Sequence, residues 1–201
     1  RNENEARLAK LIADRMPSID LVRFTNSGTE GNVMALAGAR VFAQRKGRSG
    51  ATKVMVFHGG YHGGVLYFVS GGSPVNVPYE YVVAPYNDVE GTRALLAKHG
   101  EELFAVLLEP MQGSHGCLPG DVGFLKMVRE ETKARGITMI FDEVMTSRLS
   151  PGGLQEKHGV IPDMTTLGKY IGGGMSFGAF GGRRDIMEKV REVREIRIDV
   201  L

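Results

Sequence analysis

A single cysteine, Cys117, leaves no partner for an intrachain disulfide, which fits a reducing compartment; a cytoplasmic location is the expectation. No run of about 18 apolar residues and no signal-like start is found, so nothing argues for a membrane. Charge of neither sign prevails, with 25 Lys and Arg against 23 Asp and Glu. The densest basic stretch, Gln44-Arg45-Lys46-Gly47-Arg48, reads as a solvated helix end and makes no electrostatic case for nucleic acid. The phosphate-binding pattern Gly-x-x-x-x-Gly-Lys-Ser/Thr is missing. So are internal repeats and any linker that would divide the chain.

What is present is apolar material, 42% of 201 residues, enough for one substantial core. Ala6, Leu8, Leu11, Ile12 and Met16 recur at helical spacing, so residues 3–16 read as an amphipathic helix. Further helices are expected from Thr29 to Gln44, Asp88 to His99, Asp121 to Arg135 and Asp185 to Val193. Strands are expected at Leu21–Phe24, Lys53–Phe57, Tyr81–Ala84, Phe104–Leu108, Ile137–Phe141 and Ser176–Phe180. Strands alternating with helices predict a single α/β domain, a mostly parallel sheet with helices on both faces. Unbroken apolar strands such as Ala105-Val106-Leu107-Leu108 are what burial on both faces requires.

The residues able to carry chemistry lie at the junctions. Lys169 is followed by Tyr170-Ile171-Gly172-Gly173-Gly174, and glycine lets backbone approach a flat ligand closely. Asp142 ends an apolar strand, where α/β proteins bind ligands. Together they suggest an amine that forms an imine and a carboxylate that grips a ring nitrogen, hence an enzyme. Taken alone, Lys169 is an exposed loop lysine and Asp142 a helix cap. Ser27-Gly28-Thr29-Glu30 lies between strand and helix, where free N–H groups and the helix dipole bind phosphate. The same residues equally describe an ordinary capped helix start.

In Gly59-Gly60-Tyr61-His62-Gly63-Gly64, Tyr61 can stack on a planar cofactor; otherwise the segment is a glycine-rich turn around one tyrosine. His58 and His62 stand four apart, but the glycines break the helix that a metal pair would need, and no metal site is expected. Glu109 and Asp142, at the ends of two strands, would sit side by side above the sheet. Glycoside hydrolysis by that pair has no aromatic sugar platform to support it.

Read in order, Arg23-Phe24-Thr25-Asn26-Ser27-Gly28-Thr29-Glu30, Gly60-Tyr61-His62-Gly63, Leu108-Glu109-Pro110, Phe141-Asp142-Glu143-Val144-Met145-Thr146 and Thr166-Leu167-Gly168-Lys169 closely resemble the class III aminotransferases. These are pyridoxal 5′-phosphate enzymes of fold type I. Within them the chain resembles the branch of aromatic β-amino acid aminotransferases and glutamate-1-semialdehyde aminomutase. Tyr61-His62-Gly63-Gly64-Val65, Met145-Thr146-Ser147-Arg148-Leu149 and the stretch from Lys169 to Arg183 favour the former.

The resemblance implies a β-phenylalanine-like amino donor, a 2-oxo acid acceptor and a homodimer; the alternative is the aminomutase. It implies that Lys169 holds the cofactor and then moves a proton, from a desolvated site near positive charge. Asp142 would pair with the pyridinium nitrogen, with Val144 and Tyr61 on either ring face. Ser27, Gly28 and Thr29 would hold the phosphate, and Glu109 and Gln112 would be supporting polar groups. Gly31 replaces the family's usual alanine. By the same comparison, residues 1–201 are the cofactor-binding large domain without an N-terminal segment or the C-terminal small domain. Carboxylate-binding arginines and a partner-subunit threonine go with those parts. Both ends look cut: Arg1 opens inside a helix-like stretch, and Ile196-Arg197-Ile198-Asp199-Val200-Leu201 stops on alternating apolar residues. A third reading is therefore a truncated chain with little activity.

Overall fold

The computed structural model of the chain describes residues 3–195; the alternating segment from Ile196 to Leu201 lies outside them. Helix α1 (Glu3–Arg15) leads into strand β1 (Leu21–Thr25), then α2 (Gly28–Arg45) and β2 (Lys53–Phe57). After a long loop come β3 (Glu80–Ala84), α3 (Val89–His99) and β4 (Leu103–Leu108). A small hairpin of β5 (Met111–Gln112) and β6 (Leu118–Pro119) precedes α4 (Val122–Arg135) and β7 (Thr138–Asp142). Then follow α5 (Gly153–His158), β8 (Met164–Gly168), β9 (Gly178–Gly182) and α6 (Arg184–Glu195). Local chemistry marks several boundaries: Asp88 caps α3 by accepting the Gly91 N–H at 2.9 Å. Gly136 ends α4 in the left-handed region, φ 64°, where a glycine avoids the Cβ clash.

Seven strands form one sheet in the order β1-β9-β8-β7-β4-β2-β3. Only β9 runs against the rest, pairing antiparallel with both β1 and β8. The expected α/β architecture, a mostly parallel sheet with helices on both faces, is the one observed. Alternate side chains sort onto the two faces. Val54, Val56 and Ile140 pack with Leu36 and Ala39 of α2 and Ile186 of α6. Met55, Phe57, Met139 and Phe141 pack with Leu96 of α3 and Phe124 of α4. At the far end of that second face, Ile12 of α1 meets Leu167 and Ala179.

Four elements escape the sequence reading, the two-residue strands β5 and β6 among them. Helix α5 has six residues and no apolar period. Strand β8 reads Met-Thr-Thr-Leu-Gly, and its threonines are buried because their hydroxyls are bonded, Thr165 to Ser18 and Gln155, and Thr166 to Asn32. Strand β9 begins two residues later than expected and runs through Gly181-Gly182, glycines that weaken a strand pattern.

Candidate active site

All the parallel strands present their carboxyl ends to one rim of the sheet, and a cavity of about 590 Å³ opens there. Its wall takes Ser27, Gly28 and Thr29 from beyond β1, Tyr61 and His62 from beyond β2 and Glu109 from beyond β4. Asp142 and Val144 come from the end of β7 and Lys169 from just past β8. Eight of the nine residues singled out from the sequence therefore share one pocket.

Ser27 is the N-cap of α2, its hydroxyl accepting the Glu30 N–H at 3.1 Å. Glu30 in turn accepts from the backbone and side chain of Asn26, at 2.8 and 3.1 Å, which locks the turn. Capping and cavity lining are thus both true of this segment. The N–H groups of Gly28 and Thr29, the first two of the helix, find no acceptor among the described residues. Gly28 has no room for a side chain, because a Cβ would lie 2.7 Å from a Val144 methyl. Thr29 lies so close to Gly63 that a Cβ there would overlap its side chain.

The Tyr61 ring is 37% exposed in the cavity wall and meets Tyr67 edge-on at 5.9 Å. Its backbone is tied to Glu109, whose carboxylate accepts the N–H groups of Tyr61 and Gly113, both at 3.0 Å. Burial pushes the Glu109 carboxyl above the ordinary carboxylate range; the charge of Asp142 adds to the rise, and His62 and the two N–H groups oppose it.

Asp142 is buried and richly bonded. Its Oδ2 accepts from Asn32 Nδ2 at 2.8 Å and faces His62 Nδ1 at 2.9 Å; its Oδ1 accepts the Val144 N–H at 3.1 Å. Lys169 starts the turn after β8 with φ +53°, a left-handed conformation that costs a non-glycine residue about 1 to 3 kcal/mol and clusters at functional sites. Desolvated surroundings for this lysine are not found: it is exposed at the cavity, and a Cβ on Gly173 or Gly174 beyond it would meet only open space.

Gln112 is the one of the nine that is not in the cavity wall. Its amide donates to the His58 carbonyl at 2.8 Å from within β5, behind the wall. The His58 and His62 side chains part company as well. His58 sits exposed and edge-on to His115 at 6.2 Å, while His62 is buried against Asp142. The residues that sequence reasoning missed are Asn32 and the Asp142-bonded role of His62. Asn32 did carry a signal, an amide in the first half of a helix rich in small residues that must bury one face.

A family model described as aminotransferase class-III matches residues 1–194. A curated relative, β-phenylalanine transaminase of Variovorax paradoxus, is 56% identical over 183 residues, covering 91% of this chain and 41% of that protein. A crystal structure of a β-phenylalanine aminotransferase from the same organism superposes with a TM-score of 0.87 at 55% identity, covering 94% of this chain and 42% of that one. A solved transaminase with PLP bound gives a TM-score of 0.83 at 31% identity, covering 92% and 46%. The chain thus spans less than half the length of these relatives. With the motifs, the sheet and the cavity all in agreement with the match, the chain belongs to the class-III aminotransferases.

Proposed function

We propose that this chain forms the cofactor-binding large domain of a pyridoxal phosphate-dependent aminotransferase. The enzyme moves an amino group from a β-phenylalanine-like β-amino acid to a 2-oxo acid. The observation that carries this reading is the single cavity joining a lysine amine, a buried hydrogen-bonded carboxylate and two unpartnered N–H groups at a helix start. Those groups match the amine-reactive carbon, ring nitrogen and phosphate of the cofactor in kind and charge. A side chain at residue 28 would run into Val144, so glycine keeps this part of the cavity wall low. The 56% identity to a β-phenylalanine transaminase supports the choice of substrate class.

When bound, pyridoxal phosphate supplies a carbonyl carbon that takes up amines and a ring that accepts electrons from the reacting carbon. Lys169 Nζ, once it has lost its ammonium proton, is the amine that holds the cofactor; it then takes and returns the proton at the substrate carbon. Asp142 keeps a proton at the ring nitrogen. Tyr61 and Val144 flank the ring, and Ser27 and Thr29 join the helix-start N–H groups around the phosphate. Glu109 holds the Tyr61 loop against the segment at Gly113. The complete enzyme works as a homodimer in this reading.

Borohydride reduction of the protein loaded with pyridoxal phosphate, followed by peptide mapping, should find the cofactor on Lys169. Lys169→Ala should abolish both the label and the visible absorbance of bound cofactor. Label on another lysine refutes the assignment. Turnover of glutamate 1-semialdehyde in preference to β-phenylalanine would replace the transaminase reading with the aminomutase.

A further inference from the structure

Asn32 lines the cavity and bonds three of the segments that carry the proposed chemistry. It sits in the second turn of α2, just after Ser27-Gly28-Thr29, and is 1% exposed. Its Nδ2 donates to Asp142 Oδ2 at 2.8 Å and to the His62 carbonyl at 3.0 Å. Its Oδ1 accepts the Thr166 hydroxyl at 2.7 Å. Turning the amide over would set its oxygen against a carboxylate and a carbonyl, so the partners themselves dictate its orientation. Those partners belong to the Tyr61-His62 loop, the end of β7 and the strand that runs into Lys169.

We propose that Asn32 is the positioning residue of the cofactor site, one buried amide that holds the Tyr61 loop, the Asp142 carboxylate and the Lys169 strand in register with the start of α2. The inference rests on the cavity being a pyridoxal phosphate site. It also distinguishes the two oxygens of Asp142. Oδ2 is engaged twice, by Asn32 and by His62 Nδ1, whereas Oδ1 accepts only the Val144 N–H. A carboxylate oxygen has two acceptor positions, so Oδ1 is the one with a position left for a ring N–H. Removing Asn32 opens one of the two filled positions on Oδ2, leaves the Thr166 hydroxyl buried without its acceptor and the His62 carbonyl without its Asn32 donor, so that the His62 ring alone is left to tie the Tyr61 loop to Asp142.

The test compares Asn32→Ala, Thr166→Val and Thr165→Val in the purified holoenzyme. Thr165 is the control: its buried hydroxyl on the same strand bonds Ser18 at 2.7 Å and Gln155 at 3.0 Å, away from the site. The readouts are the dissociation constant for pyridoxal phosphate, the visible absorbance maximum of the bound cofactor and the melting temperature of the apoprotein. N32A should weaken binding about tenfold or more, and T166V about threefold, each with a shifted absorbance maximum. T165V should lower the melting temperature while leaving affinity and absorbance as in the wild type. The inference is overturned if N32A and T166V keep wild-type affinity and absorbance, or lose them no more than T165V does. Should N32A not fold, T166V against T165V decides. A wild type that takes up no cofactor, or is labelled away from Lys169, refutes the cofactor reading and this inference with it.

Discussion

Among single residues, Glu109 ties stability to pH. Its carboxyl is held above the ordinary range by burial first of all, so the folded protein binds that proton more tightly than the unfolded chain does. Such a group contributes stability that is fully present below the ordinary carboxylate value of 4.5 and is lost as pH rises through the higher folded value. Glu109→Gln cannot ionise. Urea unfolding at about pH 4 and about pH 7 should therefore show the wild type losing stability relative to E109Q as pH rises. A difference that stays constant with pH would contradict the burial argument. That Lys169, Asp142, Tyr61 and the Ser27-Gly28-Thr29 turn line one cavity was legible because each belongs to a short contiguous motif at a strand or helix end. That Gln112 stays out of the cavity wall was not legible, for the complementary reason. Its nearness in sequence to Glu109 says nothing about which side of the wall the β5 strand turns its side chain toward.

At the level of elements, the join between β9 and the start of α2 is the tightest constraint on the site. A Cβ on Gly178 would overlap the Ser27 carbonyl, while one on Gly181 would come within 2.7 Å of the Leu21 carbonyl oxygen. The glycines of β9 are thus there to let the neighbouring backbone in. Gly178→Ala should force β9 or the α2 start to move, costing about 1 to 3 kcal/mol in chemical denaturation and weakening cofactor uptake through the displaced helix start. Full retention of both would show that the junction has slack. Most helices and the apolar strands were readable from their own period, including Lys53–Phe57, whose bounds are the observed ones. Strand β8 was not, since two of its five residues are threonines whose burial depends on partners far along the chain.

Across the whole molecule, stability comes from the two apolar layers that sandwich the sheet, and the site only borrows their rigidity. Phe124 of α4 packs edge-on against Phe57 at 5.5 Å and near Tyr86 at 5.3 Å, on the face away from α2. Phe124→Ala should cost about 3 to 5 kcal/mol of folding stability. Below its melting transition it should bind pyridoxal phosphate as the wild type does, by titration of cofactor absorbance. A large loss of affinity at unchanged fold content would mean that this layer reaches the site directly. By itself the sequence determined most of the order of strands and helices, the α/β class and the motifs that carry the family resemblance, because period, capping and turn chemistry act over a few residues. Only the tertiary structure decided which buried polar groups meet. Asn32 lies 30 residues from His62, 110 from Asp142 and 134 from Thr166, and His62 lies 80 from Asp142. Contacts at such separations are set by how the sheet stacks its strand ends, and no local pattern in the chain records them.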